Sequence, residues 1–217
     1  GRAGAATAVD VVVRVDRQAV HEVRATVRAA QAMRGVGDVV MVSTVDRAEV
    51  TELAGALDLR LITVGDRHGI GAALTAVRTG HVALFDVGDV PAIDFLDRLR
   101  PHLLDERVAV VQGLGTSFAD DSPEHGPNHR HELVFERSSL NPALGRRGAA
   151  VWLGSGSLVR VDAVREASSA PGVNDVLGAG SAIEAHWHLT SVLLAGGWRL
   201  VAPPTTVMAQ RSLPDEA

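Results

Sequence analysis

From residue 9 to residue 112 the chain alternates short Val, Leu and Ile runs with longer stretches of helical period, the pattern of a parallel sheet joined by crossover helices. The apolar runs predict strands at Val9–Val15, 39–43, 60–64, His81–Asp86 and 107–112. Between them, Val20, Val23, Val27 and Ala30 recur at the spacing of one helix face, and Val50, Leu53, Ala54 and Leu57 do the same in a second segment. A further helix is expected where Asp94, Asp97 and Arg98 alternate with Ile93, Phe95, Leu96 and Leu99, with Pro101 closing it.

Beyond residue 112 the pattern changes. Residues 113–128 are rich in Gly, Asp, Ser and Pro and predict a long surface loop, a candidate lid or binding loop. A short amphipathic helix is expected over 129–138. Strand character returns over 149–161, interrupted by Gly154-Ser155-Gly156-Ser157. A second loop over 168–180 leads to a helix over 181–195 and a last strand over 198–201. There is no internal repeat.

Composition narrows the chemistry. With 217 residues, 46% hydrophobic and 22% charged, the sequence predicts one well-filled soluble domain over 1–217. A net charge of -5 lacks the basic face that a nucleic-acid partner requires. The absence of Cys excludes disulfides, thiolate nucleophiles and zinc–thiolate sites. All 21 basic residues are Arg, so a lysine Schiff base and a Walker-type phosphate loop are excluded too. No apolar run nears the roughly 20 residues that span a bilayer. The chain opens on Gly1 without a signal segment and reads as a piece of a longer protein, which leaves room for membrane segments on either side.

Several motifs could carry function. Gly-x-Gly pairs at Gly35/Gly37, Gly69/Gly71, Gly113/Gly115, Gly154/Gly156 and Gly178/Gly180 all lack the third glycine of a dinucleotide fingerprint. His125, His129 and His131, with Glu124 and Glu132, form a polar cluster that could ligate a metal or simply lie exposed in a loop. Glu184 and His188 share one face at the start of the late helix, with His186 on another, so this turn holds a general base or a metal ligand, or else simply a favourable N-terminal acid. The run Leu84-Phe85-Asp86-Val87-Gly88-Asp89-Val90-Pro91 puts acids at the carboxyl end of a strand, where open α/β sheets bind ligands. Asp86 and Asp89 there could hold a divalent metal, or Asp89 could cap the next helix.

Taken in order over about residues 9 to 201, these segments resemble the family 2 glycosyltransferases and, within them, the cellulose-synthase-like branch. Val9-Asp10-Val11-Val12-Val13 is similar to the opening strand, and 69–77 to the helix before the metal strand. Residues 84–91 resemble a metal motif normally written Asp-Ala-Asp-His-Val-Pro. Val111-Gln112, Gly154-Ser155-Gly156-Ser157-Leu158-Val159-Arg160 and Gly196-Gly197-Trp198-Arg199 resemble later landmarks of the family.

The resemblance implies an α/β, glycosyltransferase A-type (nucleotide-diphospho-sugar transferase) fold with a mostly parallel central sheet flanked by helices. Its nucleotide-sugar half would be 8–112 and its acceptor half 113–205. It implies transfer of a sugar from a nucleotide-sugar donor to a glycan acceptor, in a cytoplasmic domain of a membrane-associated polysaccharide-assembly protein. A divalent cation, Mg²⁺ or Mn²⁺, would be held by Asp86 and Asp89. Asp16, Arg17, Asp46 and Asp86 fall at the donor-binding positions, and His186, with Glu184 nearby, at that of the catalytic base. The motifs are degenerate: Arg14-Val15-Asp16-Arg17-Gln18 replaces Pro-Thr-Tyr-Asn-Glu, and Ser43-Thr44-Val45-Asp46 replaces an Asp-Asp-Gly. Ile70 replaces a lysine, Gly88 the second metal acid, and His186 the catalytic Asp. A catalytically inactive domain that binds a partner or glycan is the alternative.

Overall fold

The computed structural model describes residues 8–64, 71, 74–75, 77–117, 136–170, 173 and 182–210. The first strand, β1 (Val9–Val15), is almost wholly Val and is buried along nearly its whole length, as expected of a β-branched strand covered on both faces. Parallel to it lie β2 (Val36–Ser43) on one side and β4 (His81–Asp86) on the other, and β3 (Arg60–Thr63) extends the sheet beyond β2. On the far side of β4 comes β8 (Ser157–Arg160), antiparallel to both β4 and β6 (Val108–Gln112); β9 (Arg199–Val201) then pairs parallel to β6. The spatial order is β3-β2-β1-β4-β8-β6-β9. The chain builds outward from β1 through β2 and β3 and returns to place β4 on the opposite side of β1. The β1/β4 boundary is therefore a topological switch point, which opens a crevice at the carboxyl ends of the strands.

Helices cover both faces. Helix α1 (Val20–Gln31) buries Val23, Thr26, Val27 and Ala30, and α2 (Ala48–Ala56) buries Val50, Leu53 and Ala54. These pack with Val11, Val13 and Phe85 into one core layer. The alternate strand positions Val12, Leu84 and Val159 join Trp152 and the residues Leu189 and Leu193 of the late helix, Ala182–Ala195, on the other face. The period of 2 along the strands thus divides their side chains between two apolar layers.

Four features depart from the sequence expectation. The α-helix after Asp94 ends before Pro101 as expected, but helical turning does not. Helix α3 (Phe95–Leu99) runs directly into a 3-10 turn over Arg100–Leu104 with Pro101 in its first positions, where a missing N–H costs nothing. Strand character over 149–161 is confined to β8, plus one bridge from Ala149 to Leu200, because side chains take the intervening backbone groups. Asn141, in α4 (Asn141–Gly145), brackets Val151 with two hydrogen bonds; Thr190 Oγ1 accepts from Trp152 N and Gln112 Oε1 from Leu153 N. The start of the expected 113–128 loop is strand β7 (Leu114–Ser117), and Glu136–Leu140 is π-helical. Finally, a second, three-stranded sheet sets β10 (Thr206–Gln210) between β5 (Asp89–Pro91) and β7. The His125/His129/His131 cluster with Glu124 and Glu132 lies outside the described residues.

Candidate functional site

The carboxyl ends of β1, β2, β4 and β6 meet the start of β8 at one edge, since β8 runs the other way. Arg14 and Asp86 are register partners across the β1/β4 boundary. Their side chains meet there: Arg14 Nε donates to Asp86 Oδ1 at 2.7 Å and Nη2 to Oδ2 at 2.8 Å. This fork-to-fork geometry is the strong form of an ion pair. Arg14 is 14% exposed and Asp86 47%, so the guanidinium is mostly covered and the carboxylate faces the crevice. Asp16 and Arg17 are exposed just past β1, and Asp46 just past β2. Thr44 donates to Asp16 Oδ1 at 2.7 Å, and Arg47 to the Gln18 carbonyl at 2.7 Å, tying the two strand ends together.

Asp89 lies elsewhere. It opens β5, is 3% exposed, and spends its carboxylate inside the protein. Gln210 Nε2 donates to Oδ1 at 2.8 Å, the Asp86 backbone N–H to Oδ2 at 2.9 Å, and the Ser155 hydroxyl also to Oδ2. Burial, reinforced by the charge of Asp86, pushes the Asp89 carboxyl above the ordinary aspartate range. The structure places Asp89 in β5 rather than at a helix cap, and its carboxylate is buried where that of Asp86 faces the crevice. Neither acid belongs to a cluster of three or more metal-ligating side chains among the described residues. Gly88, between the two acids, has φ of +104° and donates its N–H to Thr26 Oγ1 at 2.9 Å. A glycine tolerates that conformation without cost.

His186 is also turned inward. It lies in the late helix, α5 (Ala182–Ala195), and is 3% exposed. Its ring meets Trp152 edge-on, with centroids 5.1 Å apart. Gly154 also lies against the ring, with φ of +86°, and an added Cβ there would fall 2.4 Å from His186 Nε2. The expected base therefore sits beneath the 154–157 turn rather than in the crevice. Glu184 belongs to the same helix, and its side chain lies outside the described residues.

No protein-family model and no curated protein matches the sequence. Solved structures do match. A mannosyltransferase from Pyrobaculum calidifontis, in complex with GDP-Man and Mn²⁺, aligns over 96% of this chain and 58% of its own, with a TM-score of 0.65 and 17% identity. The fold is that of the glycosyltransferase A-type enzymes.

Two further neighbours have the same glycosyltransferase A-type fold. S. aureus TarS in complex with UDP aligns over 96% of this chain and 61% of its own, with a TM-score of 0.63 and 11% identity. Glucosyl-3-phosphoglycerate synthase from Mycobacterium tuberculosis, with Mn²⁺, UDP and glucosyl-3-phosphoglycerate, aligns over 96% and 73%, with a TM-score of 0.58 and 18% identity. The chain thus spans about three fifths of the length of the first two. Within this fold Asp86 holds the expected strand end, while Arg14, Ser155, Thr26 and Gln210 were not anticipated as its partners or as those of the turn that follows. A cavity of about 610 Å³ lies at the opposite, amino edge of the sheet, lined by Gly35, Asp38, Asp58, Arg60 and Arg78, and it touches none of these residues. No described helix is long and apolar enough to cross a membrane.

Proposed function

We propose that this chain is the donor-binding and transfer domain of a family 2-type glycosyltransferase, of the cellulose-synthase-like branch, within a longer membrane-associated protein of polysaccharide assembly. Residues 8–112 form its nucleotide-sugar half and 113–205 its acceptor half. One observation carries the reading: a charged pair, Arg14 and Asp86, stands in register at the β1/β4 switch point, where open α/β sheets take phosphorylated ligands. Asp16, Arg17 and Asp46 rim the same crevice as nucleoside contacts. The half-exposed Asp86 fits a divalent cation as a single acid, because such ions commonly use one or two carboxylates and let substrate phosphates complete the shell. A cation there offsets charge on the departing nucleoside diphosphate.

His186 and Glu184 are the base candidates for drawing the proton from an acceptor hydroxyl. For His186 this requires the 154–157 turn to move, since its ring is sealed under Gly154. The alternative is a catalytically inactive domain that binds a partner or glycan. Melting temperature with nucleotide sugars and Mn²⁺ tests the donor site: a ligand at about 100 times its dissociation constant adds about 2.7 kcal/mol. For a chain of this size that is a rise of roughly 5 to 10 °C, reduced in Asp86→Ala. No rise with any nucleotide sugar overturns the proposal. Release of nucleoside diphosphate from a bound donor then separates the transferase from the silent binder.

A further inference from the structure

The carboxyl edge already carries its own cation. In a site made of two acids, the −2 charge of the carboxylates is balanced by a divalent ion before a diphosphate can approach. Here Asp89 is folded into the protein and Gly88 contributes no charge, which leaves Asp86 facing the Arg14 guanidinium at 2.7 and 2.8 Å. The pair is neutral without any metal, as a loaded two-acid site would be. Of the five N–H groups that a guanidinium presents, two go to Asp86, and the rest make no bond to the described residues. Guanidinium is also the side chain best suited to phosphate, being planar, permanently charged and weakly hydrated. Asp86 meanwhile fixes its position, so little side-chain entropy is left to lose when an anion arrives.

We propose that Arg14 is a ligand of the donor diphosphate, so that nucleoside diphosphates bind this chain without a divalent cation and a cation only adds to a site that is already charge-balanced. The inference rests on the donor-site reading above and refines it, by assigning to Arg14 the charge that the family's second acid and its metal would jointly supply. Asp86 acts here as the positioning residue for Arg14.

Isothermal titration with UDP and GDP, in EDTA and again in Mn²⁺, tests it on the whole chain. The wild type is expected to bind in EDTA with a dissociation constant within about tenfold of that in Mn²⁺. Arg14→Gln is expected to lose at least tenfold in EDTA while keeping a response to Mn²⁺ through Asp86. Arg14→Lys, which keeps the charge but not the fork, falls between them and serves if the glutamine variant does not fold. Asp86→Asn retains part of the EDTA binding and loses the Mn²⁺ response. Wild-type binding that appears only with Mn²⁺, or equal EDTA binding by Arg14→Gln and wild type, overturns the role of Arg14 and leaves the donor site standing. No binding of either nucleotide under either condition overturns the donor site itself, and this inference with it.

Discussion

Replacing Gly154 with Ala probes the seat of His186, and the structure sets the size of the effect. Gly154 has φ of +86°, and a Cβ built there would lie 2.4 Å from Nε2, 2.5 Å from Cε1 and 3.0 Å from Cδ2 of the histidine ring. The conformation alone costs an L-residue about 1 to 2 kcal/mol. The ring has little room to retreat, because it is 3% exposed and packs edge-on against the fully buried Trp152, and overpacking of such a site costs about 1 to 3 kcal/mol more. Together the loss should be about 2 to 5 kcal/mol, a large part of the ~5–15 kcal/mol that holds a domain of this kind together. Urea unfolding followed by tryptophan fluorescence measures it, and a second cycle in a His186→Ala background separates the two contributions. There the steric part should vanish while the dihedral part persists, a coupling of about 1 to 3 kcal/mol. A loss below about 0.5 kcal/mol, or the same loss in both backgrounds, would show that His186 does not pack under Gly154.

Two further outcomes follow from buried carboxylates. Burial and the neighbouring Asp86 charge raise the Asp89 carboxyl, so the folded chain holds this proton more tightly than the unfolded one. The stability it contributes is complete below the unfolded value of about 3.9 and is lost as pH rises through the raised folded value. Asp89→Asn cannot ionise, and its amide can be met by a flip of the Gln210 amide; its unfolding free energy should fall less than the wild type's across that window. Identical pH profiles for the two proteins would contradict the assignment. At the other edge of the sheet, Asp10 is 2% exposed and accepts from the backbone N–H groups of Asp38, Arg78 and Thr79. Asp10→Ala strands these donors and should cost about 3 kcal/mol or more by urea unfolding, and a loss under about 1 kcal/mol would refute it.

What the sequence could show was decided by whether the information is local. Strands β1 and β4 run over the residues that the apolar runs indicate, and α1 buries the four-residue stripe Val23, Thr26, Val27 and Ala30 almost as its spacing predicts. Strands β5 and β10 were not legible, because each is short and gains its meaning only from partners distant in the chain, β5 from β10 and β10 from β5 and β7. That distant pairing is what turns Asp89 from a candidate ligand into a buried acceptor, through Gln210 and Ser155. His186 was hidden for the same reason, since Trp152 and Gly154 seal it from another segment. Arg14 did leave a signal. It is a cation near the end of a Val strand otherwise covered on both faces, and such a group calls for an anion on a neighbouring strand. Aligning the ends of the two runs would have found Asp86.

If the carboxyl edge at the β1/β4 switch point is the proposed nucleoside-diphosphate site, a bound nucleotide perturbs the backbone amides around it. Amide chemical shifts of the ¹⁵N-labelled protein, followed through a titration with UDP or GDP, test it most directly. Saturable shifts are expected at Arg14, Asp16, Thr44, Asp86 and Gly88, with Asp38, Arg60 and Arg78 around the opposite cavity unmoved. Shifts confined to that cavity, or none with either nucleotide, would contradict it.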